Sequence, residues 1–144
     1  MRQPVLSAKE VAAFVDEVFP QQAGVYRVAS VGPMAAVVTQ AVDDRHLRPG
    51  GTVSGPTMFA IADYTFYVAV LAMIGREPLT VTTTLTINFL RKPAATELRA
   101  EARILKLGRT LATGDVLVSS DGVAEPVAHA VVSYAVPPAP RVSP

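Results

Sequence analysis

Cysteine is absent from the 144 residues, and that absence removes several chemistries at once. It excludes a disulfide framework, a thiolate nucleophile and any zinc or iron–sulfur site built on cysteine. Excess charge is lacking too. Charged residues make up 17% of the chain and the formal net charge is +1, so no broad field points toward nucleic acid or an anionic membrane surface. Neither an internal repeat nor a helix-turn-helix pattern is present. The only histidines, His46 and His129, lack metal-ligand spacing, and each reads as structural rather than catalytic. The amino-terminal stretch MRQPVLSAKEVAAFVDEVF has no long apolar segment and carries Lys9, Glu10, Asp16 and Glu17 where a secretory leader would be apolar. A cytoplasmic location is expected.

What remains is apolar. Hydrophobic residues form 50% of the chain, enough for one real core, and the length suits one domain rather than two. A single domain over residues 1–137 is expected, with the proline-rich stretch 138–144 disordered. Ser7 followed by Glu10 is a capping box, and Val11, Phe14, Val15 and Val18 recur at helical spacing behind it. That pattern predicts a short amphipathic helix ending near Pro20. The valine-rich stretches GVYRVASVG and MAAVVTQAV, joined through Gly32 and Pro33, predict a hairpin. A polar, turn-rich segment follows from Asp43 to Thr52, and a long apolar helix is then bounded by Pro56 in its first turn and Gly75 at its C-terminal cap. Its predicted span is 56–74. Beyond Pro78 the period changes to two: Val81, Leu85, Ile87 and Phe89 alternate with polar residues, and Leu98, Ala100, Ala102 and Ile104 share one face of the next strand. RTLATGDVLVSSDG and PVAHAVVSYAV supply two more strands, with turn signals at Pro93, Gly108 and Asp121-Gly122. The sum is an α+β fold with a curved, largely antiparallel sheet around one central helix. One side of that helix is left open to a partner.

Asp63 stands in the middle of the apolar helix, where an unpaired charge is costly. Its presence argues against a membrane span, since a central Asp costs about 2.5 to 3.5 kcal/mol on insertion scales. A buried helix gains nothing structurally from Asp over Ala. Two readings follow: a carboxylate satisfied by threonine or tyrosine hydroxyls, or a carboxylate in an apolar cleft acting as general base or nucleophile. The glycines at positions 50, 51 and 55 likewise read either as punctuation or as the frame of an anion site, in which the first free N–H of the helix holds an oxyanion. Pro56 removes one donor, so Gly55 supplies the main one. Gly55 and Asp63 are eight residues apart, about 12 Å at roughly 1.5 Å per residue. One helix cannot bring both to one reacting group. Two helices running antiparallel about a two-fold axis can, with Gly55 of one chain facing Asp63 of the other.

From Asp43 to Ala135 the chain resembles the hotdog-fold acyl-CoA thioesterases of the phenylacetate-degradation, PaaI-like, type. The motifs are GGTVSGPTMFAIAD at the helix start, TVTTTLTINFLRKP in the next strand and GRTLATGDVLV after it. The resemblance implies a hotdog fold paired into dimers or tetramers, and hydrolysis of an acyl-CoA thioester to free acid and coenzyme A. Gly55 matches the oxyanion-hole glycine, Asp63 the catalytic carboxylate, and Thr82, within one position, the Ser or Thr that orients the attacking water. No cofactor is implied, coenzyme A being part of the substrate. The family's His-Gly-Gly is Ser54-Gly55-Pro56 here, and Arg48 stands near the place of its Asn, Gln or His. Ser54 can still hydrogen-bond, and Arg48 could meet a carboxylate or phosphate. Arg91, Lys92 and Arg109 read as solvated strand ends or as partners for the coenzyme A phosphates. Phe59, Phe66 and Tyr67 read mostly as core, one or two of them lining an acyl pocket. A non-catalytic acyl-CoA-binding module and a hotdog dehydratase are the competing functions.

Overall fold

The computed structural model describes residues 2–138. The expected disordered stretch therefore lies, beyond Pro138, outside the described residues. Helix α1 (Ala8–Val18) starts at the predicted capping box: the Glu10 N–H donates to Ser7 Oγ at 3.1 Å, and the Ser7 N–H donates to Glu10 Oε1 at 3.0 Å. The Glu10 carboxyl is held below the ordinary carboxylate range chiefly by its bond to the Ser7 N–H. Val11, Phe14 and Val15 form the buried face.

Six strands follow: β1 (Arg27–Gly32), β2 (Ala35–Gln40), β3 (Val81–Phe89), β4 (Leu98–Leu107), β5 (Leu111–Ser120) and β6 (Ala128–Ala135). They form one sheet in the order β1-β2-β4-β5-β6-β3, every neighbour antiparallel. Met34, at φ 59°, turns the predicted hairpin between β1 and β2. The sequence order does not announce the sheet order, because β3 crosses to the far edge beside β6 instead of pairing with β4.

Helix α2 (Gly55–Ile74) begins one residue earlier than predicted, because Ser54 is its N-cap and Gly55 already takes helical geometry. It packs on β2, β4 and β5 and touches all other strands. By length and composition it could cross a membrane, but 67% of its most apolar stretch is buried inside the fold. Gly114 lets the helix come this close: a Cβ there would stand 2.8 Å from Phe66 Cε2. The residues left incompletely covered include Pro56, Phe59, Ala60, Asp63 and Tyr67, at three- and four-residue spacing, so they form one stripe. The open side is therefore the side that carries Asp63.

One detail of β3 sets up the site. The expected alternation puts Val81 on the same face as Leu85, Ile87 and Phe89, yet Val81 is 55% exposed. A bulge between Thr82 and Thr84 shifts the register against β6, so that Thr82 opposes buried Tyr134 and Leu85 opposes buried Val132. The extra residue reverses the parity of the strand. Thr82 thereby faces the helix.

Candidate active site

The Asp63 carboxylate ends in a small hydrogen-bonded cluster. Thr82 Oγ1 donates to Asp63 Oδ1 at 2.6 Å, and the Tyr134 hydroxyl lies 2.5 Å from the same oxygen and 2.9 Å from the Asp63 carbonyl. Asp63 Oδ2 accepts no hydrogen bond among the described residues. The structure thus merges the two readings of Asp63: hydroxyls satisfy one oxygen and leave the other open. Thr82, the residue that the resemblance gives to a water, donates its hydroxyl hydrogen to the carboxylate and keeps its lone pairs to accept.

Tyr134 is the residue that sequence reasoning missed. It sits on an inward position of β6 and is 2% exposed. An inward-facing phenol in AVVSYAV was the available signal, since a buried tyrosine hydroxyl needs a partner. Burial, then the Asp63 charge beside it, pushes the Tyr134 phenol far above the ordinary range. It therefore stays a donor to Asp63.

Tyrosines also wall the cavity of about 320 Å³ into which Asp63 opens, together with Thr80, Thr82 and Pro78. Tyr26 stacks on Tyr64 with centroids 4.2 Å apart, and Tyr67 lies 6.1 Å from Tyr134. Burial pushes Tyr64 up to about 12 and raises Tyr26 and Tyr67 as well. These phenols stay protonated in the fold but ionise near pH 10 once unfolded. Their stabilisation is complete below that pH and is lost above it, by about 1.4 kcal/mol per pH unit for each phenol still protonated in the fold. Urea midpoints measured between pH 9 and 11 should fall, and Tyr134→Phe should flatten the fall.

Gly55 lies elsewhere. Its N–H donates to no group among the described residues, whereas the Thr57 N–H is taken by Ser54 Oγ at 3.3 Å. Gly55 borders a second cavity of about 420 Å³ with Arg48, Phe89, Arg91 and Lys92. Arg91 is partly engaged, pairing with Glu125 at 3.0 Å and donating to the Pro126 carbonyl. Arg109 is not with them; it lines a cavity beside Met73 and Ile74, at the opposite end of α2. Phe59, read as mostly core, is 40% exposed on the open stripe, whereas Phe66 is fully buried and Tyr67 lines the Asp63 cavity. His46 accepts the Asp43 N–H at 2.9 Å and holds the loop before α2, while His129 bonds Asp115 at 2.9 Å on the outer sheet. Both imidazoles are thus engaged by neighbours within the chain.

Residues 50–127, from the glycine turn through β5, match the family model of the thioesterase superfamily. The chain belongs to the thioesterase superfamily. A protein from Silicibacter sp. TM1040 assigned as a thioesterase is 46% identical, with a TM-score of 0.88 over 95% of this chain and 96% of that one. The phenylacetic acid degradation protein PaaI from Thermus thermophilus is 27% identical, with a TM-score of 0.69 over 81% of this chain and 97% of that one. A thioesterase from Haemophilus influenzae shares the fold at 16% identity, TM-score 0.82, over 96% of each chain. No curated protein matches. The fold is the PaaI-like hotdog, and this thioesterase hydrolyses acyl-CoA thioesters.

Proposed function

We propose that the working unit of this thioesterase is a pair of protomers, in which Asp63 of one and the Gly55 N–H of the other act on a single thioester carbonyl. Asp63 is the general base or nucleophile, and the Gly55 amide, at the positive end of α2, meets the oxyanion. Thr82 and Tyr134 fix the carboxylate. Tyr67 and Phe59 flank the acyl group, and Arg48, Lys92 and Arg91 meet the phosphates of coenzyme A. Arg109 lines a separate cavity of its own protomer, at the far end of the helix from Gly55. The chemistry needs no cofactor, because base and donor both come from the chain.

The observation that carries the reading is the separation of two incomplete half-sites. Asp63 has an unbonded oxygen in one cavity and Gly55 an unbonded N–H in another, eight residues away along α2, about 12 Å by helical rise. The position of β3 supports pairing as well: it is an edge strand with Val81 and Phe89 about half exposed at 55% and 52%. Such an edge is a template for another strand.

Mixing two inactive variants tests this. Asp63→Asn and Gly55→Pro, unfolded and refolded together in equal amounts, form hybrid dimers that contain one intact site of two. Random pairing makes half the dimers hybrid, so activity should return to about a quarter of the native value. No recovery, with hybrids verified by mass, would mean that each protomer works alone.

A further inference from the structure

We infer that the segment between α1 and β1 is the wall that limits the acyl group, and that the Phe19 ring sets the length of chain accepted. This rests on the reading that the acyl group enters the cavity of Asp63. Pro20 stops α1 at Phe19, since a proline disfavours helical geometry in the residue before it. Phe19 takes φ −131° and ψ 61°, and the chain then bends through one 3₁₀ turn, Pro20–Gln22. Behind this break Val11, Phe14 and Val15 hold α1 in the core, and ahead of it Tyr26 stacks on Tyr64 with centroids 4.2 Å apart. The segment is thus fixed at both ends. Between them, no residue from 18 to 25 is buried.

Val18, Phe19, Gln22 and Tyr26 nevertheless line the Asp63 cavity. Val18 and Phe19 are 37% and 40% exposed, so the core gains little from them. An apolar side chain left partly open beside a cavity favours an apolar group that covers it. All four residues also lie outside the stretch 50–127 that matches the family and holds Gly55, Asp63 and Thr82. The reaction is thus set by one part of the chain and the acyl group by another.

Size decides which acyl groups fit. At about 320 Å³ the cavity stands near the lower end of ligand pockets, which run from about 300 to 1,000 Å³. Short acyl groups fill it, and longer chains meet the Phe19 ring.

Butanoyl-, hexanoyl- and decanoyl-CoA test this on the full chain. Native kcat/KM should fall from hexanoyl- to decanoyl-CoA. Phe19→Ala should raise the decanoyl-to-hexanoyl ratio of kcat/KM about tenfold, the lower end of what a mismatch of one methylene does to discrimination, and Phe19→Trp should lower it. Thermal midpoints should hold in both variants, because the ring lies outside the buried core. A native preference for decanoyl-CoA overturns the inference. A ratio that Phe19→Ala leaves unmoved or lowers, while Tyr67→Ala raises it, overturns the role of Phe19 and keeps the acyl group in the Asp63 cavity. A ratio unmoved by both variants overturns the reading of that cavity, and this inference with it. An equal loss for every acyl-CoA in Phe19→Ala also overturns it, since Phe19 would then support the fold rather than meet the acyl chain.

Discussion

Asp63→Asn should lower kcat by about 10² to 10⁴, the range that a positioned general base contributes, and leave the fold intact. Asparagine keeps an oxygen where Oδ1 accepts from Thr82 at 2.6 Å and from Tyr134 at 2.5 Å, so the cluster retains its partners. What it loses is the anion at Oδ2. KM should change little, since the carboxylate acts on the reacting atoms rather than on the body of coenzyme A. Asp63→Ala should be as inactive and also less stable, because two hydroxyls lose their acceptor in a buried setting. Release of free thiol from a panel of acyl-CoAs measures the first effect and a thermal midpoint the second. Full turnover in the asparagine variant would show that another group does the chemistry.

The helix, the strands and Asp63 are legible in the sequence because each breaks or keeps a simple period. Val11, Phe14 and Val15 keep the helical one; Leu98 to Ile104 keep the period of two, and all of these are buried. Asp63 stands out as the charge in an apolar run. Two things escape this kind of reading, and both are three-dimensional. The bulge in β3 reverses strand parity at a threonine run, TTT, in which no hydrophobic residue marks the shift. The placing of β3 beside β6 sets Thr82 opposite Tyr134, and β6 carries Tyr134 to within 2.5 Å of Asp63 on α2, 71 positions earlier. No local pattern reports a crossover of that length. Phe59 misleads for a related reason: α2 is apolar nearly all round, so its open stripe has no hydropathy signature and only Asp63 and Tyr67 mark it.

Gly55→Pro should lower kcat by about 10² to 10³, since loss of one oxyanion donor removes about 2.7 to 4 kcal/mol of transition-state stabilisation. The substitution is chosen because α2 can bear it. Gly55 is the first residue of the helix, where a missing N–H breaks no helical bond. Ser54 before it is extended, at φ −72° and ψ 154°, as a residue preceding proline prefers. Its steric costs are a Cβ that stands 3.2 Å from Phe89 Cζ, at the free end of a half-exposed ring, and the crowding of that Cβ against the Pro56 ring in a helical backbone. Gly55→Ala places the same Cβ against Phe89 and ahead of Pro56 while keeping the N–H. The difference in kcat between the two variants therefore isolates the amide hydrogen from the crowding. If alanine and proline slow the enzyme equally, the ring rather than the donor governs the rate, and the anion at the start of α2 must be held by some other group.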